Sequence, residues 1–258
     1  MIEILFFSPT GNVQHLAHYL SNILETQKTP VNIFQLENTD PGRLHVDGHL
    51  VLLYPIHAFN PPRTVVRFIR NLPASRVKSA SIICVGSSES WMNAAASMPI
   101  KRILEKKGCM IHLDELLAMP LTILSPFPDH QAREMIKNAE RKLDQVAAIL
   151  LSGQGRSGNV PLKSRLVARL GRIEGLAARA FGLELRASNA CTSCGLCIDQ
   201  CPEKNIRMGK GNKPAFGTRC LMCLRCVYNC PETAISPRFS KFIPIKGGYQ
   251  IEKYLLDE

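Results

Sequence analysis

Cys191-Thr-Ser-Cys194-Gly-Leu-Cys197-Ile-Asp-Gln-Cys201-Pro202 and Cys220-Leu-Met-Cys223-Leu-Arg-Cys226-Val-Tyr-Asn-Cys230-Pro231 are two copies of one pattern, CxxCxxCxxxCP. They hold eight of the ten cysteines in 258 residues. Both the spacing and the closing proline match the ligation run of a pair of 4Fe-4S clusters, in which the fourth cysteine of each run serves the other cluster. Cys191, Cys194, Cys197 and Cys230 are therefore assigned to one centre, and Cys220, Cys223, Cys226 and Cys201 to its neighbour. Crossed ligation makes residues 188–237 one interlocked α+β unit. The rival readings fit less well. Zinc asks for four ligands at the corners of one tetrahedron, and disulfides belong to secreted, cysteine-dense chains. The first 182 residues hold only Cys84 and Cys109, each in an apolar run and read as a buried free thiol.

Length allows two domains, one with a sizeable core. The opening Met1-Ile-Glu-Ile-Leu-Phe-Phe-Ser-Pro9 has no basic leader and too short an apolar stretch for a signal peptide. No segment has the length of a membrane span, and cysteines kept as thiolates suit a reducing cytoplasm. The formal charge is +11. Two oxidised clusters with their thiolates bring about −4, and a flavin phosphate removes about two more. The excess is uneven: residues 1–152 carry 15 basic and 13 acidic side chains, residues 153–188 carry 7 and 2. A basic stripe with interleaved stacking aromatics is absent, which argues against nucleic acid.

Residues 1–152 alternate between strands and helices. Apolar runs at Ile2–Phe7, Val31–Leu36, Leu50–Tyr54, Ala80–Val85 and Met110–Leu113 read as five strands. Helices are expected from Val13 to Glu25, after Pro61-Pro62, from Ala94 to Lys107, and from a capping Asp129 to about Leu151. The last buries a stripe of Met135, Ile136, Ala139, Leu143, Val146, Ala147 and Leu150. This order makes a doubly wound, five-stranded parallel sheet. Gly153–Asn159 is a linker by composition. Leu162–Phe181 follows as one helix, with Leu162, Leu166, Leu170, Ile173, Ala177 and Ala180 as its packing side. Arg165, Arg169, Arg172 and Arg179 gather on the adjoining side, read either as an ordinary solvated face or as a docking surface for an acidic redox partner. The packing side is expected to lie against the first domain and bring a cluster close to its loops. Residues 238–258 read as an ordered tail, with Phe242, Ile243, Ile245, Tyr249, Ile251, Tyr254 and Leu255 packing back on a domain.

Ser8-Pro9-Thr10-Gly11-Asn12 stands between the first strand and the first helix, where doubly wound sheets bind phosphate. It lacks GxGxxG and GxxxxGK[ST], which argues against a dinucleotide and against ATP. Two further loops leave the same sheet edge, Pro55–Pro62 and Gly86–Asn93. An isoalloxazine ring needs an apolar slot with a polar edge. Phe59 and Trp91 are the candidate ring contacts, with Asn60 in the same loop, and Asn93 with Ser87, Ser88 and the backbone to Ser90 form the polar edge. His57 is either a nearby proton donor or a plain loop histidine.

With SPTGN at Ser8–Asn12, NPPRTVVRFI at Asn60–Ile69, the proline loop from Met119 and the paired cysteine runs, the chain resembles the family of fused flavodoxin–ferredoxin proteins over nearly its whole length. The resemblance implies a flavodoxin-like domain at 1–152 that binds FMN, a linker and basic helix at 153–187, and a ferredoxin-like domain with two 4Fe-4S clusters at 188–237. Flavodoxin phosphate loops align with Ser8, Thr10, Gly11, Asn12 and Val13; Val13 replaces a usual hydroxyl residue and removes one donor. The expected function is electron transfer between FMN, the two clusters and an external redox protein. The alternatives are a reductase of a small acceptor, such as a quinone or corrinoid-bound cobalt, and a docking subunit whose flavodoxin-like domain is empty.

Overall fold

The computed structural model describes residues 1–153, 155 and 160–255. Most of the linker read at Gly153–Asn159 lies outside the described residues. The chain forms two compact units, Met1–Pro120 with Pro128–Arg172, and Leu121–Phe127 with Ile173–Glu258.

In the first unit, β1 (Ile2–Phe6), β2 (Val31–Gln35), β3 (His49–Pro55), β4 (Ser79–Gly86) and β5 (Met110–Ala118) form one sheet in the order β2-β1-β3-β4-β5. Every pairing is parallel. This is the flavodoxin-like order, which reverses between β1 and β3. The connecting helices are α1 (Asn12–Thr26), α2 (Arg63–Asn71) and α3 (Met98–Lys106), followed by α4 (Asp129–Ser152). Right-handed crossovers then send α1 to one face and α2 and α3 to the other. In keeping with that, α1 packs with α4 and α2 with α3. His15 Nε2 meets Glu140 Oε1 at 2.7 Å and Tyr19 donates to Asp144 at 3.3 Å, fixing the α1–α4 pair. Covered on both faces, β1 is buried at every residue, as an unbroken apolar run requires.

The structure corrects several sequence expectations. β5 continues past Leu113 through Asp114 and Glu115 to Ala118, because an edge strand with only intermittent burial tolerates polar residues. The helix expected from Ala94 starts at Met98, behind a 3-10 turn at Trp91–Asn93. Pro128, not Asp129, occupies the N-cap of α4; Asp129 lies in the first turn, where its charge suits the helix dipole. The long basic helix is two helices, α5 (Leu162–Gly171) and α6 (Glu174–Glu184), and the unit boundary falls between them. Its packing side is also different. Leu162, Leu166, Leu170 and Ile173 are exposed, whereas Ser164 and Ala168 are buried. The cause is close approach: a Cβ on Gly171 would stand 2.0 Å from the Ala58 carbonyl oxygen, and Asn60 Nδ2 donates to the Ala168 carbonyl at 2.8 Å. Only small residues fit that interface.

The second unit holds β6 (Leu185–Ala187), α7 (Leu196–Asp199), β7 (Ile206–Met208), β8 (Pro214–Phe216), α8 (Arg225–Tyr228), β9 (Ile235–Pro237) and α9 (Glu252–Leu255). The tail packs within this unit. Ile245, Tyr249, Ile251 and Tyr254 are buried, but Phe242 and Leu255 are exposed, against expectation. Tyr228 Oη donates to the Thr122 carbonyl at 2.7 Å and accepts from the Ile245 N–H at 2.9 Å, so one side chain ties the tail to residues 121–127.

Candidate functional site

The second unit repeats itself after 29 residues, the interval from Cys191 to Cys220. β6, α7 and β7 recur as β8, α8 and β9. The strands do not pair within a repeat: β6 pairs antiparallel with β9, and β7 with β8. Left-handed backbone recurs at the same interval, at Ser193 and Met222, Gly195 and Leu224, and Lys204 and Thr233. Five of those six residues carry a side chain and adopt the conformation against steric preference. Such strain persists only where surroundings over-determine it, and it gathers at ligand clamps.

The loops bend around two cavities. One is lined by Cys191, Cys194, Cys197 and Cys230. The other is lined by Cys201, Cys220, Cys223 and Cys226. Backbone N–H groups already face the sulfurs: Asn205 donates to Cys201 Sγ and, one repeat on, Ala234 to Cys230 Sγ, both at 3.3 Å. Met222 N–H donates to Cys220 Sγ at the same distance. Such bonds stabilise thiolate charge and tune cluster potential. Burial pushes the Cys226 thiol well up, with Cys223, Cys220 and Cys201 adding to it. Burial also raises Cys197, aided by Cys191, Cys194 and Cys230. Each cavity thus gathers four sulfurs, the donor set that a cubane takes. Cys84 and Cys109 lie elsewhere, buried and free as expected. Burial raises both, Cys109 to about 11.

Phe181 of α6 packs with Leu185, Leu224 and Ile235 in the core of this unit. The next residue, Gly182, admits no side chain: its Cβ would lie 2.5 Å from Cys220 Cβ and 2.7 Å from the Gly217 carbonyl oxygen. Gly182→Val is therefore expected to cost about 1–3 kcal/mol and to loosen the Cys220 loop. Gly175, in the same helix with nothing within 4 Å, is the control: Gly175→Ala is expected to gain about 0.5–1 kcal/mol. Thermal unfolding and iron retention of the two variants, measured under argon, check both signs.

In the first unit, the three candidate loops leave the C-terminal ends of β1, β3 and β4, neighbouring strands at the topological switch, where open sheets of this kind bind ligands. α1 begins with no side-chain cap and no acidic residue in its first turn, behind Gly11 at φ 95°. Its leading N–H groups are therefore suited to an anion. Ser8 and Asn12 are buried here. Asn12 Nδ2, however, donates to the Pro120 carbonyl at 2.9 Å, and Val13 is buried in the core. These two residues hold the loop in place, leaving Thr10 as its half-buried hydroxyl.

The second loop is a tight two-residue turn. His57 and Asn60 exchange backbone hydrogen bonds at 2.9 Å across Ala58 and Phe59, both left-handed. This turn type usually uses Asn-Gly, so Ala-Phe is held by its surroundings, including Asn60 Nδ2 to the Ala58 carbonyl. Burial lowers His57 to about 4, which leaves its ring uncharged at neutral pH. In the third loop, Asn93 Nδ2 donates to the Ser88 carbonyl at 2.9 Å. Ser87 is half-buried and Ser88 exposed. Ser90 Oγ is buried and lacks a hydrogen-bond partner among the described residues, a polar edge that a flavin ring could satisfy. Trp91 is 43% exposed, with Lys163 Nζ 4.5 Å from its ring centroid. Sequence reasoning missed that α5 covers these loops; the available signal was the spacing of Ser164, Ala168 and Gly171.

Comparison with known proteins finds the following similarities. The 4Fe-4S dicluster domain family matches residues 190–235. Ferredoxin-type protein NapF of Escherichia coli K12 is 33% identical over 54 residues, 20% of this chain and 33% of that protein. The chain thus spans about a third of the length of the curated relatives it matches. Solved structures with similarity include flavodoxin 2 from Bacillus cereus (15% identity, TM-score 0.42, 59% of this chain and 98% of that one). An archaeal flavodoxin is 13% identical, with TM-score 0.41 over 57% of this chain and 97% of that one. Megasphaera elsdenii flavodoxin reaches 20% identity and TM-score 0.38 over 55% and 99%. The strand order remains the ground for the fold, and the chain joins a flavodoxin-like unit to a ferredoxin-type 4Fe-4S unit.

Proposed function

We propose that this electron-transfer protein exchanges electrons among FMN, two 4Fe-4S clusters and an external redox protein. The observation that carries the reading is the pair of four-cysteine cavities, each combining three cysteines of one run with the fourth of the other. Cys191, Cys194, Cys197 and Cys230 hold one cluster; Cys220, Cys223, Cys226 and Cys201 hold the second. FMN takes electrons in pairs or singly, whereas each cubane moves one at a time, so the combination interconverts the two currencies. In the first unit, Ser8, Thr10 and the opening N–H groups of α1 bind the phosphate. Phe59 and Trp91 flank the ring slot, with Ser90 and the backbone of Ser87 and Ser88 at its polar edge. His57 stands in the loop between β3 and α2, its ring uncharged at neutral pH because burial lowers it to about 4.

Iron, acid-labile sulfide and flavin measured on one anaerobically purified sample test this reading. About eight iron, about eight sulfide and one FMN per chain are expected. About four iron would remove the second cluster. Full iron with no flavin, even after incubation with FMN, would favour the docking-subunit alternative.

A further inference from the structure

α5 packs through Ser164, Ala168 and Gly171, and its opposite side carries Leu162, Leu166 and Leu170 at 79%, 61% and 60% exposure. With about 100° per residue, the three leucines form one stripe. Arg165, Arg169 and Arg172 run along one flank of it and Lys163 along the other; all four are exposed. Single exposed leucines are ordinary, but a contiguous row of them marks an interaction surface. From Gln145 to Ile173 the sequence holds five basic residues and no acidic one.

We propose that this face of α5 docks on an anionic lipid surface. The leucines enter the boundary between headgroups and acyl chains, and the arginines meet the lipid phosphates. Three features favour a bilayer over a protein. The stripe is a projecting row on a convex helix, which a fluid surface accommodates without a matching groove. Arginines border the apolar row along one side, as cations do on helices that lie in the membrane plane, while Lys163 on the other side stands over the Trp91 ring. A run of four to eight basic residues on such a helix is the composition that anionic leaflets attract. No helix among the described residues is long and apolar enough to cross a membrane, so attachment would be peripheral.

The test uses the full-length holoprotein in flotation with vesicles of phosphatidylcholine alone and of phosphatidylcholine mixed with phosphatidylglycerol. Binding is expected only to the mixed vesicles and should weaken with salt. Arg165→Gln with Arg169→Gln is expected to reduce it about thirtyfold. Leu166→Ser with Leu170→Ser is expected to reduce it by more than tenfold at unchanged charge. All four positions are exposed, and the cluster absorbance and melting of each variant confirm that folding is intact. Absence of vesicle binding, or binding indifferent to the leucine pair, overturns the proposal. So does a dimer, or a complex with a small acidic ferredoxin, that forms without vesicle binding and that the leucine pair dissociates.

Discussion

Cys201→Ala is expected to remove the iron held beside Cys220, Cys223 and Cys226 and to spare the centre at Cys191, Cys194 and Cys197. Cys201 lies in the other run, yet it lines the cavity of the second. The iron content should fall by about half, and Cys230→Ala should give the mirror result. Pairs of substitutions sharpen the test, since residues of one site act as a unit. Cys201→Ala with Cys220→Ala should lose no more iron than either alone, whereas Cys201→Ala with Cys230→Ala should lose nearly all. Folding suffers too, because cluster binding free energy is also folding free energy. Both small strand pairs, β6–β9 and β7–β8, join one repeat to the other. Iron analysis and electron paramagnetic resonance of the reduced variants decide the matter; coupling of Cys201 to Cys191 instead would sink the crossed assignment.

The legibility of this molecule followed the range of the interactions involved. The cysteine runs are local and dense, so spacing alone announces their chemistry. Buried strands such as β1 and β3 are announced by unbroken apolar runs. β6 to β9 were invisible because three residues are too few for a period of two to register, although the 29-residue repeat could have located them. α5 shows where hydrophobicity misleads. The leucine stripe is its most apolar side, but what faces the protein was decided by Ala58 and Asn60, more than a hundred residues away. A helix approaching a backbone carbonyl at that distance needs Gly171, not leucine. The turn at Ala58-Phe59 was equally unreadable, since neither residue advertises a left-handed conformation. The loops were placed correctly by topology, and their detailed contacts depended on a neighbour that no local pattern names.

The proposed phosphate loop joins both kinds of evidence: topology set it at the start of α1 in the sequence, and the structure sorts the side chains that could face a phosphate there. Asn12 is engaged with Pro120 and Val13 lies in the core, which concentrates side-chain recognition on Ser8 and Thr10. The buried Ser8 is part of the packed base of the loop, so its removal confounds packing with binding. Thr10 is half-buried beside the uncapped start of α1. Thr10→Ala should therefore leave the fold intact and remove one hydrogen bond to a charged group, about 1.5–3 kcal/mol. That corresponds to roughly a tenfold to hundredfold loss of FMN affinity. Riboflavin has the same ring but no phosphate, and its affinity should barely change. Flavin fluorescence titrations of the wild-type and variant proteins with both ligands isolate the phosphate contribution from everything the ring contributes. Equal weakening of FMN and riboflavin would mean that Thr10 supports the turn and that the helix N–H groups hold the phosphate alone.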